Sequence, residues 1–194
     1  MLAAIIILLA IIADQVTKYI VVQNLELKES APFIDGFMKF RRAHNTGGGW
    51  SILDGGGFER FVLIGVSVGA MVLVAIVLIK NYRRHPLMNI SLAMILGGGI
   101  GNMIDRIRLQ YVVDFLHTEF IDFPTFNIAD CFITVGAILL GVYVIFYDSK
   151  VEKRLRAEKE ANEKLIEIKP EEVSSQAEET EKGEIDTEEK GEND

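Results

Sequence analysis

The sequence predicts an all-α membrane protein with four transmembrane helices and a small set of outer β-strands. Three observations carry that prediction: long apolar runs, the uneven placement of lysine and arginine around them, and one mixed stretch rich in turn residues. A run of about 18 or more apolar residues makes a helix long enough to cross the roughly 30 Å hydrocarbon layer. Residues 61–79 qualify at once, as do residues 87–104, with Asn89, Ser91 and Asn102 as polar breaks, and residues 126–147, interrupted by Asn127 and Asp130. Residues 1–22 are apolar except for Asp14, Gln15, Thr17 and Lys18. They lack the basic start and small-residue cleavage site of a removable leader, so they are expected to remain as a first span.

Direction follows from the basic residues, which collect on the cytoplasmic side of span ends. Lys80, Arg83 and Arg84 lie between the second and third runs, and Lys150, Lys153, Arg154 and Arg156 follow the fourth. Four spans put both segments on one face, so both termini are expected in the cytoplasm. The loop 24–60 also holds basic residues, but they are balanced by acids and lie mostly away from the span ends. Within it, residues 30–57 mix polar and apolar side chains around Gly36 and Gly47 to Gly49, the pattern of short strands and turns. Residues 111–116 form a second apolar patch on that side, and Trp50 and Phe58 suit the lipid–water boundary.

The net charge of -8 resides wholly in residues 148–194, which hold 9 basic and 17 acidic residues and no aromatic one. Such a segment buries too little apolar surface to offset its ordering entropy, so a charged, largely disordered cytoplasmic tail is expected after a membrane domain spanning residues 1–147. The acidic balance therefore carries no information about a substrate, and nothing points to nucleic acid. With Cys131 as the single cysteine, no intrachain disulfide can form.

Topology gives each polar residue a depth. Asp14 lies about 20 Å along the first span at 1.5 Å per residue, in its outer half. Asn102, Asp105 and Arg106 end the third span, and Asn127 and Asp130 open the fourth. Asn45 and Asp114 join them from the outer loops. An ionisable group in a span is costly and is by default functional. Asp14 and Lys18, four apart, can pair on one helical face, whereas Asp130 has no basic neighbour at helical spacing; the structural alternative for it is a helix-start cap.

Two carboxyl groups held a few ångströms apart share one proton and so offer a base and an acid together, which suits peptide hydrolysis. Asp105, Asp114 and Asp130 compete for such a pair. Asp105 stands beside Arg106, a neutralising partner, and suits a structural role. Asp114, between Val113 and Phe115, sits in an apolar setting that raises its pKa, so the residues modestly favour Asp114 with Asp130.

The strings DQVTK (14–18), NTGGGW (45–50), GNMIDR (101–106), VVDF (112–115) and FNIAD (126–130) resemble the five ordered motifs of lipoprotein signal peptidase, also called signal peptidase II. The resemblance covers essentially residues 1–147. It implies a four-helix aspartyl endopeptidase of family A8 in the bacterial cytoplasmic (inner) membrane, with a small extracytoplasmic β cradle. Such an enzyme cleaves prolipoproteins just before a diacylglyceryl-modified cysteine. It implies a catalytic pair, Asp114 and Asp130, at the outer face, with Asp14, Lys18, Asn45, Asn102, Asp105, Arg106 and Asn127 in support. It also implies inhibition by the cyclic peptide globomycin; contact with membrane lipids is expected, and no cofactor or metal is. The sequence departs from the family pattern at glycines in NTGGGW where alanines are common, and at Cys131 where serine is common.

Rival readings remain. Gly97, Gly98, Gly99 and Gly101 lie inside an apolar span with no Lys-Ser/Thr after them, so close helix packing is expected rather than a phosphate loop, and Gly65 and Gly69 read the same way. A cysteine peptidase would use Cys131 with His117 as base. His44 and His85 read as plain surface or interface residues, and no cluster suits a metal. A small proton or ion transporter is the alternative from another class, yet transport needs polar residues through the whole depth, and the inner span halves hold little beyond Asn89 and Ser91.

Overall fold

The structure, a computed structural model, describes residues 1–47, 57–82, 84–161 and 163. An apolar chain in lipid must satisfy its own backbone polar groups, and a helix does so within one segment. Among the described residues up to 147 the helices are α1 (Leu2–Asn24), α2 (Gly57–Lys80), α3 (Pro86–Leu109) and α4 (Ile128–Phe146). Among the described residues α1, α3 and α4 are long and apolar enough to cross a membrane. The other expected span, residues 61–79, falls within α2, whose described apolar stretch, Ile64–Lys80, is shorter than the length that marks those three. Trp50 lies outside the described residues, as does the side chain of Phe58.

Local signals set the ends of α3. His85 is its N-cap and accepts from the Leu87 N–H at 3.2 Å, and Pro86 occupies the first turn, where its missing donor costs nothing. Gln110, left-handed at φ 66°, closes the other end on the Arg106 carbonyl, with Arg106 and Arg108 in the last turn facing the negative end of the dipole.

Glycine decides how closely α3 meets its neighbours. A Cβ on Gly97 would lie 2.7 Å from Ala10 Cβ, and one on Gly101 would lie 2.6 Å from Asp14 Oδ2, so α1 packs against a side-chain-free strip. On α4, Gly136 gives the same access to Ser91 O. The close packing expected at Gly97 and Gly101 is present. At Gly65 and Gly69 it is not: a Cβ there meets nothing within 4 Å among the described residues, so these glycines mark no helix contact.

Matching positions rise together along α1 and α3 (Ala10 with Gly97, Asp14 with Gly101) and oppositely along α3 and α4 (Gly98 with Ala129, Ser91 with Gly136). Hence α1 and α3 run parallel and α4 antiparallel. Met1 N donates to Tyr82 Oη at 3.0 Å, which brings the α2–α3 turn to the start of α1. The outward faces are apolar, with Ile5, Leu8, Ile12, Leu73, Ile138 and Val144 all exposed. Lipid, not water, is the solvent such a surface suits.

At the opposite end from Met1 stands an antiparallel sheet of order β1-β2-β3, made of Ser30–Ile34, Met38–Asn45 and Val112–Thr118. Residues 30–45 form the expected strands. The patch 111–116 corrects the sequence reading: it is no loop but the strand β3, pairing Ala43 with Asp114 and Met38 with Thr118. Val21, Phe115 and Leu116 form a core where the sheet meets α1, joined by Leu25, Met38, Phe40, Phe126, Ile128 and Cys131.

The chain divides into two units, Met1–Ile145 and Phe146–Asp194. In the second, residues 148–161 carry a helix that holds the basic cluster Lys150, Lys153, Arg154 and Arg156, with an Arg156–Glu152 ion pair of 2.7 Å. The disorder expected of the remaining tail concerns residues outside those described, Glu163 apart.

Candidate active site

The end of the bundle nearest the sheet holds a buried polar centre built from five elements. From α1, Asp14 and Lys18 pair at 2.9 Å, as their spacing predicts. Lys18 also reaches Asp105 of α3 at 3.0 Å and donates to Asn102 Oδ1 at 2.9 Å, so its three donors are all used. This corrects the expectation for Asp105: its ion partner is Lys18, one helix away, and not the adjacent Arg106. Consecutive helical residues point about 100° apart, whereas packed helices bring distant ones together.

Each carboxylate in this shell also fixes backbone. Asp14 Oδ1 accepts the Ala129 N–H at 3.0 Å, tying α1 to the start of α4. Asp105 Oδ2 accepts the Val113 N–H at 3.1 Å, which sets β3 one residue before Asp114. Lys18, at 3% exposure, thus neutralises the two acids that locate the elements bearing Asp114 and Asp130.

Asp130 opens α4 in the third helical position, and Asn127 is the N-cap. The Asn127 N–H donates to Asp130 Oδ2 at 3.1 Å and the Asp130 N–H to Asn127 Oδ1 at 3.0 Å, a reciprocal capping box. The capping alternative for Asp130 is therefore present, but it engages only one oxygen. The other, Oδ1, accepts from Asn102 Nδ2 at 2.8 Å.

Asp114, in the middle of β3 and 2% exposed, accepts from Asn127 Nδ2 at 2.7 Å and from Asn45 Nδ2 at 2.9 Å. Burial pushes its carboxyl up to about 6 from 3.8, and the nearby charge of Asp130 pushes the same way. The two amide bonds and Lys18 pull against this without cancelling it. Asn127 also donates to Asn102 Oδ1 at 3.0 Å, so Asn127 and Asn102 form one bridge linking Asp114, Asp130 and Lys18.

Eight of the nine predicted residues thus lie in one hydrogen-bonded network. The ninth, Arg106, is half-buried and lines a cleft of about 330 Å³ with Asn102 and Asp130. The rest of its wall is mostly apolar, from Met71 and Val74 of α2 to Ile95 and Ile133. One residue of the network was missed. Gln15 Nε2 donates towards Asp14 Oδ2, Gly101 O and Asp105 Oδ1 at 3.1 to 3.2 Å. Its signal in the sequence is a polar amide beside Asp14 in an apolar run.

The rival nucleophile is differently housed. Cys131 packs with Phe115 and Leu116, while His117 Nδ1 faces Thr125 Oγ1 at 3.3 Å. His44 stacks on Tyr111 at 3.7 Å, and burial, with Arg42 nearby, lowers its pKa.

Apolar helices ending in a polar centre that holds the buried Asp114 and the half-buried Asp130 define the class as an integral membrane protein. The family model of signal peptidase (SPase) II, peptidase family A8, matches residues 6–146. A lipoprotein signal peptidase of Enterococcus faecalis is 43% identical over 140 residues, 72% of this chain and 84% of that one. One of Listeria monocytogenes is 43% identical over 147 residues, 74% and 94% of the two chains. A solved structure of a bacterial membrane enzyme superposes with a TM-score of 0.69 at 30% identity, covering 75% of this chain and 93% of that chain. The chain belongs to the signal peptidase II family.

Proposed function

We propose that this protein removes signal peptides from prolipoproteins by aspartyl-type hydrolysis of the bond before a diacylglyceryl-modified cysteine. The observation that carries the reading is the single residue Asn127, whose side-chain amide donates to Asp114 while its backbone N–H donates to Asp130 Oδ2 and its Oδ1 accepts the Asp130 N–H. Two carboxyls held this way, Asp114 buried and Asp130 half-buried, suit an acid–base pair. The ionised member takes a proton from water as the water oxygen attacks the scissile carbonyl carbon. The protonated member hydrogen-bonds the carbonyl oxygen and then gives its proton to the leaving amine as the C–N bond breaks. Asn102 and Asn127 hold the pair's orientation, Asn45 closes over Asp114, and Arg106 faces the substrate backbone in the cleft.

The mostly apolar cleft wall suits a lipid-modified, helical signal segment, and globomycin would compete for the same space. The proposed topology has four spans with α2 as the second, both termini in the cytoplasm and the centre at the outer face of the bacterial inner membrane. The parallel course of α1 and α3, with the polar centre confined to one end, supports it. Residues 1–147 form the peptidase domain, followed by a charged cytoplasmic tail.

Purified protein in detergent, given the same precursor with and without its diacylglyceryl group, tests this reading. Cleavage confined to the lipidated form, with the modified cysteine at the new N-terminus, is expected. Equal cleavage of both forms, or cleavage at another bond, would refute it.

A further inference from the structure

Beyond the polar centre, the sheet carries an exposed apolar surface that the proposed hydrolysis does not use. Phe33, Ile34 and Phe37 on the β1–β2 hairpin and Phe120, Ile121 and Phe123 after β3 are each 46 to 54% exposed. They form one surface, because Phe37 stacks on Phe120 with centroids 4.7 Å apart and planes 7° from parallel. Four phenylalanines and two isoleucines gathered at a sheet tip are a liability in water.

The surface continues into the membrane-facing body. Phe33 stacks on Phe40 at 4.6 Å, Phe40 lies 6.3 Å from Phe115, and Phe123 meets Phe126 edge-on at 5.8 Å. Phe40, Phe115 and Phe126 belong to the core over Val21 and Leu25 at the end of α1 and Ile128 at the start of α4. Just below, Tyr19 and Ile20 of α1 are exposed, the last members of its apolar outer face. Apolar surface therefore runs unbroken in kind from the helix belt through the core to the sheet tip. At the rim Lys39, paired with Glu119 at 3.1 Å, offers an ammonium at headgroup level.

We propose that this aromatic tip is a lipid-docking surface that enters the outer leaflet beside α1 and holds the sheet, with Asp114 in β3, down against the bilayer. Aromatic side chains favour that boundary. The spans keep the tip within reach of lipid at all times, so even a weak intrinsic affinity suffices. A protein partner or a second copy would have to outcompete lipid already at hand. From Asp114 to Thr118 the strand covers about 13 Å at 3.3 Å per residue, so the contact lies on the same strand as the site yet outside it.

The inference rests on the membrane placement proposed above, and the experiment separates the two. Spin labels are attached at Phe120→Cys and, separately, Ile121→Cys, each in a Cys131→Ser background, in proteoliposomes without substrate. Accessibility to oxygen, which favours lipid, and to a water-soluble nickel chelate is compared with labels at Ile138→Cys on the α4 belt and Lys28→Cys on the polar side. Tip labels resembling Ile138→Cys support lipid docking. Tip labels resembling Lys28→Cys overturn it, as do labels shielded from both reagents, which would indicate a protein contact. If the Ile138→Cys label itself meets the nickel chelate, the placement of the spans fails instead.

Discussion

Asn127 and Asp130 cap each other at the start of α4, each backbone N–H donating to the other's side chain at 3.1 and 3.0 Å. The same pair of residues thus begins a helix and, through Asn127 Nδ2 on Asp114, joins the two carboxyls of the centre. A helix start in an apolar chain needs such acceptors, so the carboxylate proposed for catalysis also has a structural use.

The raised pKa of Asp114 predicts a pH-dependent stability difference. Its folded value, about 6, lies above the ordinary 3.8. The neutral form is therefore favoured by folding, and this contribution is full below 3.8 and lost as pH rises through about 6. Replacing Asp114 by Asn removes the titration. The variant should gain stability relative to the parent as pH rises from 4 to 7, by roughly 3 kcal/mol in all. Thermal unfolding in detergent across that range is the check, and parallel curves would contradict the assignment.

Lys18→Met should be strongly destabilising. It leaves Asp14 and Asp105 buried without their shared cation, and breaking a buried pair costs about 3–5 kcal/mol. Combining it with Asp14→Asn and Asp105→Asn should recover much of the stability but not the activity. Loss of stability in the single variant no greater than that of an exposed lysine would show the triad to be slack.

Glycine substitutions should separate sharply. Gly101→Ala drives a methyl into Asp14 and should cost about 1–3 kcal/mol with reduced cleavage, while Gly65→Ala, facing open space, should be neutral or slightly stabilising. Equal effects would mean that the α1–α3 approach tolerates a spacer.

Cys131→Ser should retain cleavage within about twofold, because the thiol packs among Phe115, Leu116 and Val21 while His117 faces Thr125. Abolished cleavage with retained folding would revive a thiol mechanism.

Much of this was legible in the sequence. Apolar length announces spans, and the four-residue spacing of Asp14 and Lys18 announces their pair. Strand β3 was hidden because nearly all of Val112–Thr118 is buried, which removes the alternation that marks a half-exposed strand. The partner of Asp105 was hidden because Lys18 is 87 residues away in sequence and reaches it only through glycine-mediated packing. Gln15 was noted as a polar break in its span but not as a site residue, since its acceptors come from two helices.

Cleavage of a lipidated precursor by the Asp114→Asn and Asp130→Asn variants, each first verified as folded, tests the account most directly. Removal of a proton-transfer group predicts loss of about a thousandfold or more in each, with the precursor still bound. A folded variant of either residue that cleaves at near the parental rate would contradict a mechanism that needs both carboxyls.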